Sequence, residues 1–276
     1  MSQLEAPRRL RGRIVEHRRV APGAGILRFA LDGPAPRFAP GQFVQLRTWS
    51  GVDPLLGRPF SLLDQGREPG GGEWLSILYQ VEGRATSLMG EARTGEPVTA
   101  VGPLGRPFTL PARPGPAVIV AGGVGIPPFL LLVRALRAAG REALVLLGAR
   151  RAERLYLREE LAAEGATVRV ATEDGSLGRR GWVTELLQEE LRARGAGGIG
   201  ALYACGPSGL LKAVIRLGQE AGVPGQVSLE RMMACGFGVC FTCVCPLLAP
   251  DGGYRNKRTC LEGPVVPLAD LPPEGW

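Results

Sequence analysis

From Arg11 to Leu110 the apolar residues come in short runs, among them RGRIVEHRRV, GILRFAL, GQFVQLRTW, EWLSILYQV and EPVTAVGPLG, each closed by glycine or proline turns. Short β-like runs at this spacing, with no helical stretch between them, predict an antiparallel β-barrel or sandwich. PARPGPA (111–117) reads as a linker. Beyond it the pattern alternates. AVIVAGG is a continuous apolar run, PFLLLVRALRAAG is helical, ALVLLGAR is a second strand and ERLYLREELAAEG a second helix. TVRVATED, WVTELLQEELRARG, ALYACGP and SGLLKAVIRLGQEAG continue the series. Strand–helix repetition of this kind predicts a parallel sheet covered by helices. After Gly222 the regular pattern stops and a cysteine-bearing segment follows. The expected organisation is a β-barrel over 9–112, a parallel-sheet α/β domain over 113–222 and a small domain over 223–276.

Composition narrows the function classes. At 276 residues there is room for two or three domains, and 45% hydrophobic with 21% charged residues is ordinary for a globular protein. No apolar segment resembles a signal peptide or is long enough to span a bilayer, so a cytoplasmic location without membrane insertion is expected. In that compartment six cysteines point to metal or redox chemistry rather than disulfides. The net charge of +7 is carried almost wholly by scattered arginines, with lysine only at Lys212 and Lys257. No basic cluster is interleaved with aromatics, so nucleic-acid binding is not expected. His17, the only histidine, is expected on the surface. No Ser/His/Asp set or carboxylate pair is apparent, so no catalytic side chain is assigned and the chemistry falls to cofactors.

The cysteines define the first of these. Residues 232–245, MMACGFGVCFTCVC, carry Cys235, Cys240, Cys243 and Cys245, and Cys260 follows. The spacing Cys235-x4-Cys240-x2-Cys243 with the distant Cys260 is the plant-type pattern for a [2Fe–2S] cluster. Gly236 and Gly238 suit a loop that wraps closely around a cluster. Cys245 is read as a spare thiol. A structural zinc, which favours paired C-x2–4-C knuckles, is the competing reading.

A one-electron cluster coupled to a nicotinamide needs a flavin between them. Gly122, Gly123 and Gly125 of AVIVAGGVGIPPF follow a buried strand and open a helix, a setting suited to phosphate binding. ALYACGP supplies a second strand tip, where Cys205 either approaches a nicotinamide or is a small buried residue. LLGRPFSLLD offers Arg58 for a pyrophosphate and Ser61 for a flavin ring nitrogen.

Together these segments resemble the ferredoxin-reductase type of flavoprotein, with its R-x-[YF]-S, GGxGxxP and CGP motifs. With MMACGFGVCFTCVCP and RTCLEGPVV added, nearly the whole chain resembles the electron-transfer subunits of two-subunit, NAD-linked dihydroorotate dehydrogenases. The resemblance implies FAD on Arg58, Pro59, Phe60 and Ser61, on Leu78, Tyr79 and Gln80, and on Ala85 and Thr86. It implies NAD near Gly122, Gly123, Gly125, Cys205, Gly206 and Pro207, and the cluster on Cys235, Cys240, Cys243 and Cys260. Gln80 stands where the family usually has a basic residue, and Ala85 where it has glycine. The implied partner is an FMN-containing catalytic subunit, in a heterotetramer with two copies of each chain. Electrons from dihydroorotate would pass through the cluster and FAD to NAD+, in pyrimidine biosynthesis. Arg150 and Arg151 follow the second strand, where arginine can meet the 2′-phosphate of NADP; the resemblance favours NAD. Two other readings are a subunit of a hydrogenase or of an NAD(P)H–ferredoxin oxidoreductase, and a zinc-stabilised binding module without redox activity.

Overall fold

The computed structural model describes residues 4–272; positions 273–276 of the expected C-terminal domain lie outside the described residues. Six antiparallel strands close the N-terminal barrel: β1 (Arg8–Ala21), β2 (Ala24–Leu31), β3 (Phe43–Arg47), β4 (Arg58–Arg67), β5 (Glu73–Gln80) and β6 (Pro97–Leu104). Their order is β1-β2-β5-β4-β3-β6, with β1 paired to both β2 and β6, so the barrel has no free edge. Along β1 the residues alternate, with Leu10 and Ile14 inside and Arg9, Arg11 and Arg13 outside. Phe29, Leu46, Leu62, Leu75 and Ile77 fill the interior, and Met89 of helix α1 (Arg84–Glu91) packs into the same core.

The sheet that follows begins with β7 (Ala117–Gly122), β8 (Ala143–Ala149), β9 (Thr167–Thr172), the two-residue β10 (Arg179–Arg180), β11 (Ala201–Cys205) and β12 (Gly225–Ser228). Helices α2 (Pro128–Ala138), α3 (Arg158–Ala163), α4 (Val183–Arg194) and α5 (Ser208–Glu220) cover its two faces. Ala117, Ile119 and Ala121 of β7 face the core shared with α2 and α3, while Val118 and Val120 face the core shared with α4 and α5. Burial on both faces explains why AVIVAG is continuously apolar. No helix among the described residues is long and apolar enough to cross a membrane.

The C-terminal segment contains the hairpin β13 (Val244–Leu248) and β14 (Tyr254–Arg258), the short helix α6 (Thr259–Glu262) and strand β15 (Val265–Pro267). Its ends are part of the sheet described above, whose full order is β10-β9-β8-β7-β11-β12-β15. β12 adds in parallel to β11, and β15 returns antiparallel to β12. The segment after Gly222, read from sequence as having lost its regular pattern, thus contributes two strands of four and three residues to the sheet. Such short strands leave no periodic signal.

The barrel is fixed to the sheet domain by polar and apolar contacts. Phe108, in the connection, stacks on Phe129 of α2 at 5.4 Å and meets Tyr203 of β11 edge-on at 5.5 Å. The Tyr203 hydroxyl donates to Thr109 O at 2.7 Å, and Arg113 Nε donates to Ile199 O at 3.0 Å. The linker expected at 111–117 is therefore a tethered connection. Arg134 of α2 forms a two-pronged pair with Asp64 of the barrel and donates to Glu164 Oε1 at 2.7 Å. Arg134→Met is expected to destabilise the protein by about 1 kcal/mol, given its partial exposure. That would lower the thermal midpoint by roughly 2–4 °C in differential scanning calorimetry.

Candidate functional site

A cavity of about 1700 Å3 lies between the barrel and the carboxyl ends of β7, β8 and β11. This is where the sheet order reverses around β7, with β8 on one side and β11 on the other. Open α/β sheets bind ligands at such a reversal. The volume exceeds the roughly 300–1,000 Å3 of an ordinary small-molecule site. It is of a size to take more than one ligand.

On the barrel side the cavity is lined by Arg58, Pro59, Phe60 and Ser61 of β4, and by Leu78, Tyr79 and Gln80 of β5. Ala85 and Thr86 line it from the first turn of α1. Thr86 Oγ1 accepts from the backbone N–H of Glu82 at 2.9 Å and of Gly83 at 3.1 Å, which ties down the start of the helix. Gln80 donates to Glu82 Oε1 at 2.5 Å. Arg84, which sequence reasoning did not single out, also lines the cavity and pairs with Asp53 at 2.9 Å. A guanidinium is thus present four residues after Gln80, the position where the resemblance led a basic residue to be expected. Ala85 sits buried in ordinary helical structure, so its Cβ needs no special backbone.

Tyr79 brings a correction. His17, expected on the surface, is half-buried, with Nε2 2.7 Å from Tyr79 Oη and Nδ1 2.7 Å from Ala92 O. A carbonyl only accepts, so Nδ1 carries the hydrogen, and in the neutral ring Nε2 accepts from the Tyr79 hydroxyl. Burial raises the Tyr79 pKa, with Arg19 opposing. His17 therefore joins β1, β5 and the end of α1, behind the cavity wall.

On the sheet side Gly122, Gly123 and Gly125 line the cavity together with Cys205 and Pro207. Gly206 lies behind them, and the two motifs touch through their backbones. A Cβ on Gly125 would stand 2.5 Å from Cys205 O, and one on Gly206 would stand 3.0 Å from Gly122 N. Gly206 has φ +146°, a value that favours glycine. Burial pushes the Cys205 thiol up to about 12, with the charge of Glu230 acting in the same direction, so it stays a neutral thiol. Glu230, just beyond β12, is a cavity-lining carboxylate that sequence reasoning missed. Surrounding protein, and then the charge of Glu82, hold its pKa above the usual carboxylate range, while solvent reaches it through the open cavity. The unassigned acid in SLER, directly before the cysteine segment, was the available signal.

The four expected cysteines gather at one edge of this cavity as two pairs. Cys240, on the surface, accepts from Thr242 Oγ1 at 3.2 Å and has Cys235 as its neighbour. The Thr242 contact, followed by the proximity of Cys235, brings the Cys240 thiol down to about 6. Cys243 and Cys260 are buried together, with Cys260 N donating to Cys243 Sγ at 3.4 Å. Burial, reinforced by Cys243, pushes Cys260 up to about 12. Among the described residues no three Cys, His, Asp or Glu side chains converge as they would around a single ion. Two thiol pairs instead suit a two-iron cluster, with one pair for each iron, and the metal charge would offset the burial of thiolates.

The loop has the backbone for this. Gly236 and Gly238 have φ +80° and +89°, and a Cβ on Gly236 would meet the Gln45 side chain at 2.5 Å. Gln45 Nε2 donates to Ala234 O at 3.2 Å, tying the loop to barrel strand β3. Cys245 is elsewhere: it lies on β13 in the core shared with α5, and burial pushes its thiol up to about 11. Phe43 and Met233 pack with Cys243 and Cys260, and both also line the large cavity. The cysteine group and the cavity therefore share a wall.

A closed barrel, a nucleotide sheet and a cysteine loop meeting at one cavity define an oxidoreductase of the ferredoxin-reductase type. A known structure of an NADH-dependent reduced ferredoxin–NADP oxidoreductase, described for flavin-based electron bifurcation, superposes with a TM-score of 0.79 at 26% identity, over 98% of this chain and 91% of that one. A ferredoxin–NADP+ reductase from Neisseria gonorrhoeae shares the fold, with a TM-score of 0.62 at 20% identity over 79% of this chain and 93% of its own. The family model for the iron–sulfur cluster binding domain of dihydroorotate dehydrogenase B matches residues 230–271, and that for the oxidoreductase NAD-binding domain matches 119–216. The dihydroorotate dehydrogenase B (NAD(+)) electron transfer subunit of Desulforamulus reducens is 38% identical over 90% of this chain and 92% of its own length. That of Geobacillus thermodenitrificans is 37% identical over 84% and 86%. The chain belongs to the family of dihydroorotate dehydrogenase B electron-transfer subunits. The reductase fold and the two matched domains fit the expected set of FAD, [2Fe–2S] and NAD.

Proposed function

We propose that this chain is the electron-transfer subunit of an NAD-linked dihydroorotate dehydrogenase. It would work in the cytoplasm beside an FMN-containing catalytic subunit, in a heterotetramer with two copies of each. The observation that carries this reading is the wall formed by Phe43 and Met233, with Cys243 and Cys260 on one side and the cavity on the other. When bound, the cluster supplies one-electron steps and the flavin converts them into the two-electron transfer that NAD+ requires. Cys235, Cys240, Cys243 and Cys260 would hold the cluster. Arg58, Ser61, Tyr79 and the start of α1 would hold FAD. The Gly122–Gly125 turn and the Cys205–Pro207 tip would hold NAD beside it.

The exposed side of the cluster loop suits a partner. Met232, Phe237, Val239 and Phe241 are exposed apolar residues around Cys235 and Cys240, and Val239 is 71% accessible. Exposed apolar residues grouped in one loop beside a redox centre favour docking of a protein. Coexpression with the catalytic subunit, followed by native mass spectrometry, tests the assembly. Two copies of each chain with FMN, FAD and iron support it, and a chain that stays alone sinks it.

A second reading, an NAD(P)H–ferredoxin oxidoreductase subunit, is favoured by the full-length likeness to the bifurcating enzyme. The higher identity to curated dihydroorotate dehydrogenase subunits places it second.

A further inference from the structure

Arg84 is the first residue of α1, and the first turn of that helix holds no acidic side chain. A helix start carries partial positive charge, so it favours a carboxylate and disfavours a cation. An arginine there breaks a local rule, and such breaks fall where function sets the residue. Its charged partner among the described residues is Asp53, at 2.9 Å, with side-chain exposures of 68% and 67%. An exposed pair of that kind contributes little to stability and is readily exchanged. Asp53 therefore does not account for the cation.

The cavity does. Gly83, Arg84, Ala85 and Thr86 line it in succession, whereas Asp53 is not part of its wall. The Arg84 side chain is open to solvent, and its flexible stem lets the guanidinium exchange Asp53 for a ligand without moving the helix. On the barrel side of the cavity, among the described residues, the guanidinium groups are those of Arg58 and Arg84. Arg58 Nη1 donates to Leu56 O at 2.8 Å and to Gly57 O at 3.2 Å, neutral acceptors that fix it and leave its charge for a ligand. Gln80 on the same wall is neutral, and its amide is taken up by Glu82. Glu82 lines the wall as well and adds a negative charge, which makes a second cation the more necessary. FAD brings two phosphate charges to this wall, and two guanidinium groups match them.

Resting on the reading of this cavity as the FAD site, we infer that Arg84 supplies the second cation for the FAD pyrophosphate, in place of a basic side chain at position 80. It gives up Asp53 to do so. The free N–H groups of the helix start favour the same anion. The contribution is to retention of FAD, not to the transfer of electrons.

The test uses the full-length protein freed of flavin, with dissociation constants for FAD and for riboflavin read from quenching of flavin fluorescence. Arg84→Gln should weaken FAD binding roughly tenfold and leave riboflavin, which has no phosphate, unaffected. Gln80→Arg added to Arg84→Gln should restore most of the lost affinity. Asp53→Asn removes the competing carboxylate, so FAD should bind as tightly as in the parent or more tightly. Iron content and thermal midpoint should match the parent throughout, which shows that the variants are folded. Unchanged FAD affinity in Arg84→Gln overturns the inference, as does an equal loss for riboflavin or an absence of rescue by Gln80→Arg. Asp53→Asn weakening FAD as much as Arg84→Gln also overturns it, since Arg84 would then act by holding the loop that carries Asp53. A parent protein that binds no FAD removes the cavity assignment itself; one that binds FAD and is indifferent to Arg84 removes this inference alone.

Discussion

Cys260→Ala is expected to abolish the iron–sulfur chromophore, whereas Cys245→Ala leaves it intact. The two thiols are both buried, and composition does not distinguish them. Their surroundings do. Cys260 packs against Cys243, whose sulfur accepts its backbone N–H, while Cys245 points into the apolar core beside α5. Loss of one ligand from a four-thiolate centre should remove nearly all cluster iron, since alanine offers no donor. The Cys260 variant should retain NADH-dependent reduction of artificial dyes, which flavin performs without the cluster, and lose electron exchange with the catalytic subunit. In the Cys245 variant only stability should suffer, by about 1 kcal/mol for the lost buried sulfur. Iron analysis and visible absorbance decide the matter. Cluster loss in the Cys245 variant with retention in the Cys260 variant would reverse the ligand assignment.

The second large effect is expected at Gly125. A methyl group there would stand 2.5 Å from Cys205 O, 2.6 Å from Cys205 C and 2.6 Å from Gly206 Cα. All three are backbone atoms, so no side chain can turn aside. Gly125→Ala must separate the glycine turn from the Cys205–Pro207 tip, the two halves of the proposed nicotinamide site. Displacement of a binding loop by about an ångström can cost on the order of a hundredfold in rate, and NADH oxidation should fall at least tenfold while FAD and iron content persist. Gly123→Ala is the control. A Cβ there meets open space, although φ is +52°, so only modest backbone strain of about 1–2 kcal/mol is expected. Steady-state kinetics on both variants should therefore separate steric displacement from strain; equal kinetics would show that the contact between the two motifs is not needed.

Legibility in the sequence followed how local each feature is. The barrel strands, the two-faced burial of AVIVAG and the cysteine spacing are written in neighbouring residues, and they could be read directly. β12 and β15 could not, because four- and three-residue strands carry no period and depend on β11 for pairing. ERLYLREELAAEG looked like one helix. In the fold Ala152–Arg154 form a single 3-10 turn, Leu157 takes φ +58°, and α3 begins only at Arg158. His17 looked isolated because its partners, Tyr79 and Ala92, are 62 and 75 residues away. Gln45 and Glu230 were silent for the same reason: each owes its role to a distant segment, the cluster loop for Gln45 and the Cys205 strand tip for Glu230.

The most direct test of the central claim is dihydroorotate-dependent NAD+ reduction by the complex recovered from native lysate through a tag on this chain. Activity that follows the tagged chain, and disappears with Cys260→Ala, is the predicted result. A complex that carries FAD and iron, oxidises NADH with dyes, and yet leaves dihydroorotate untouched would contradict it.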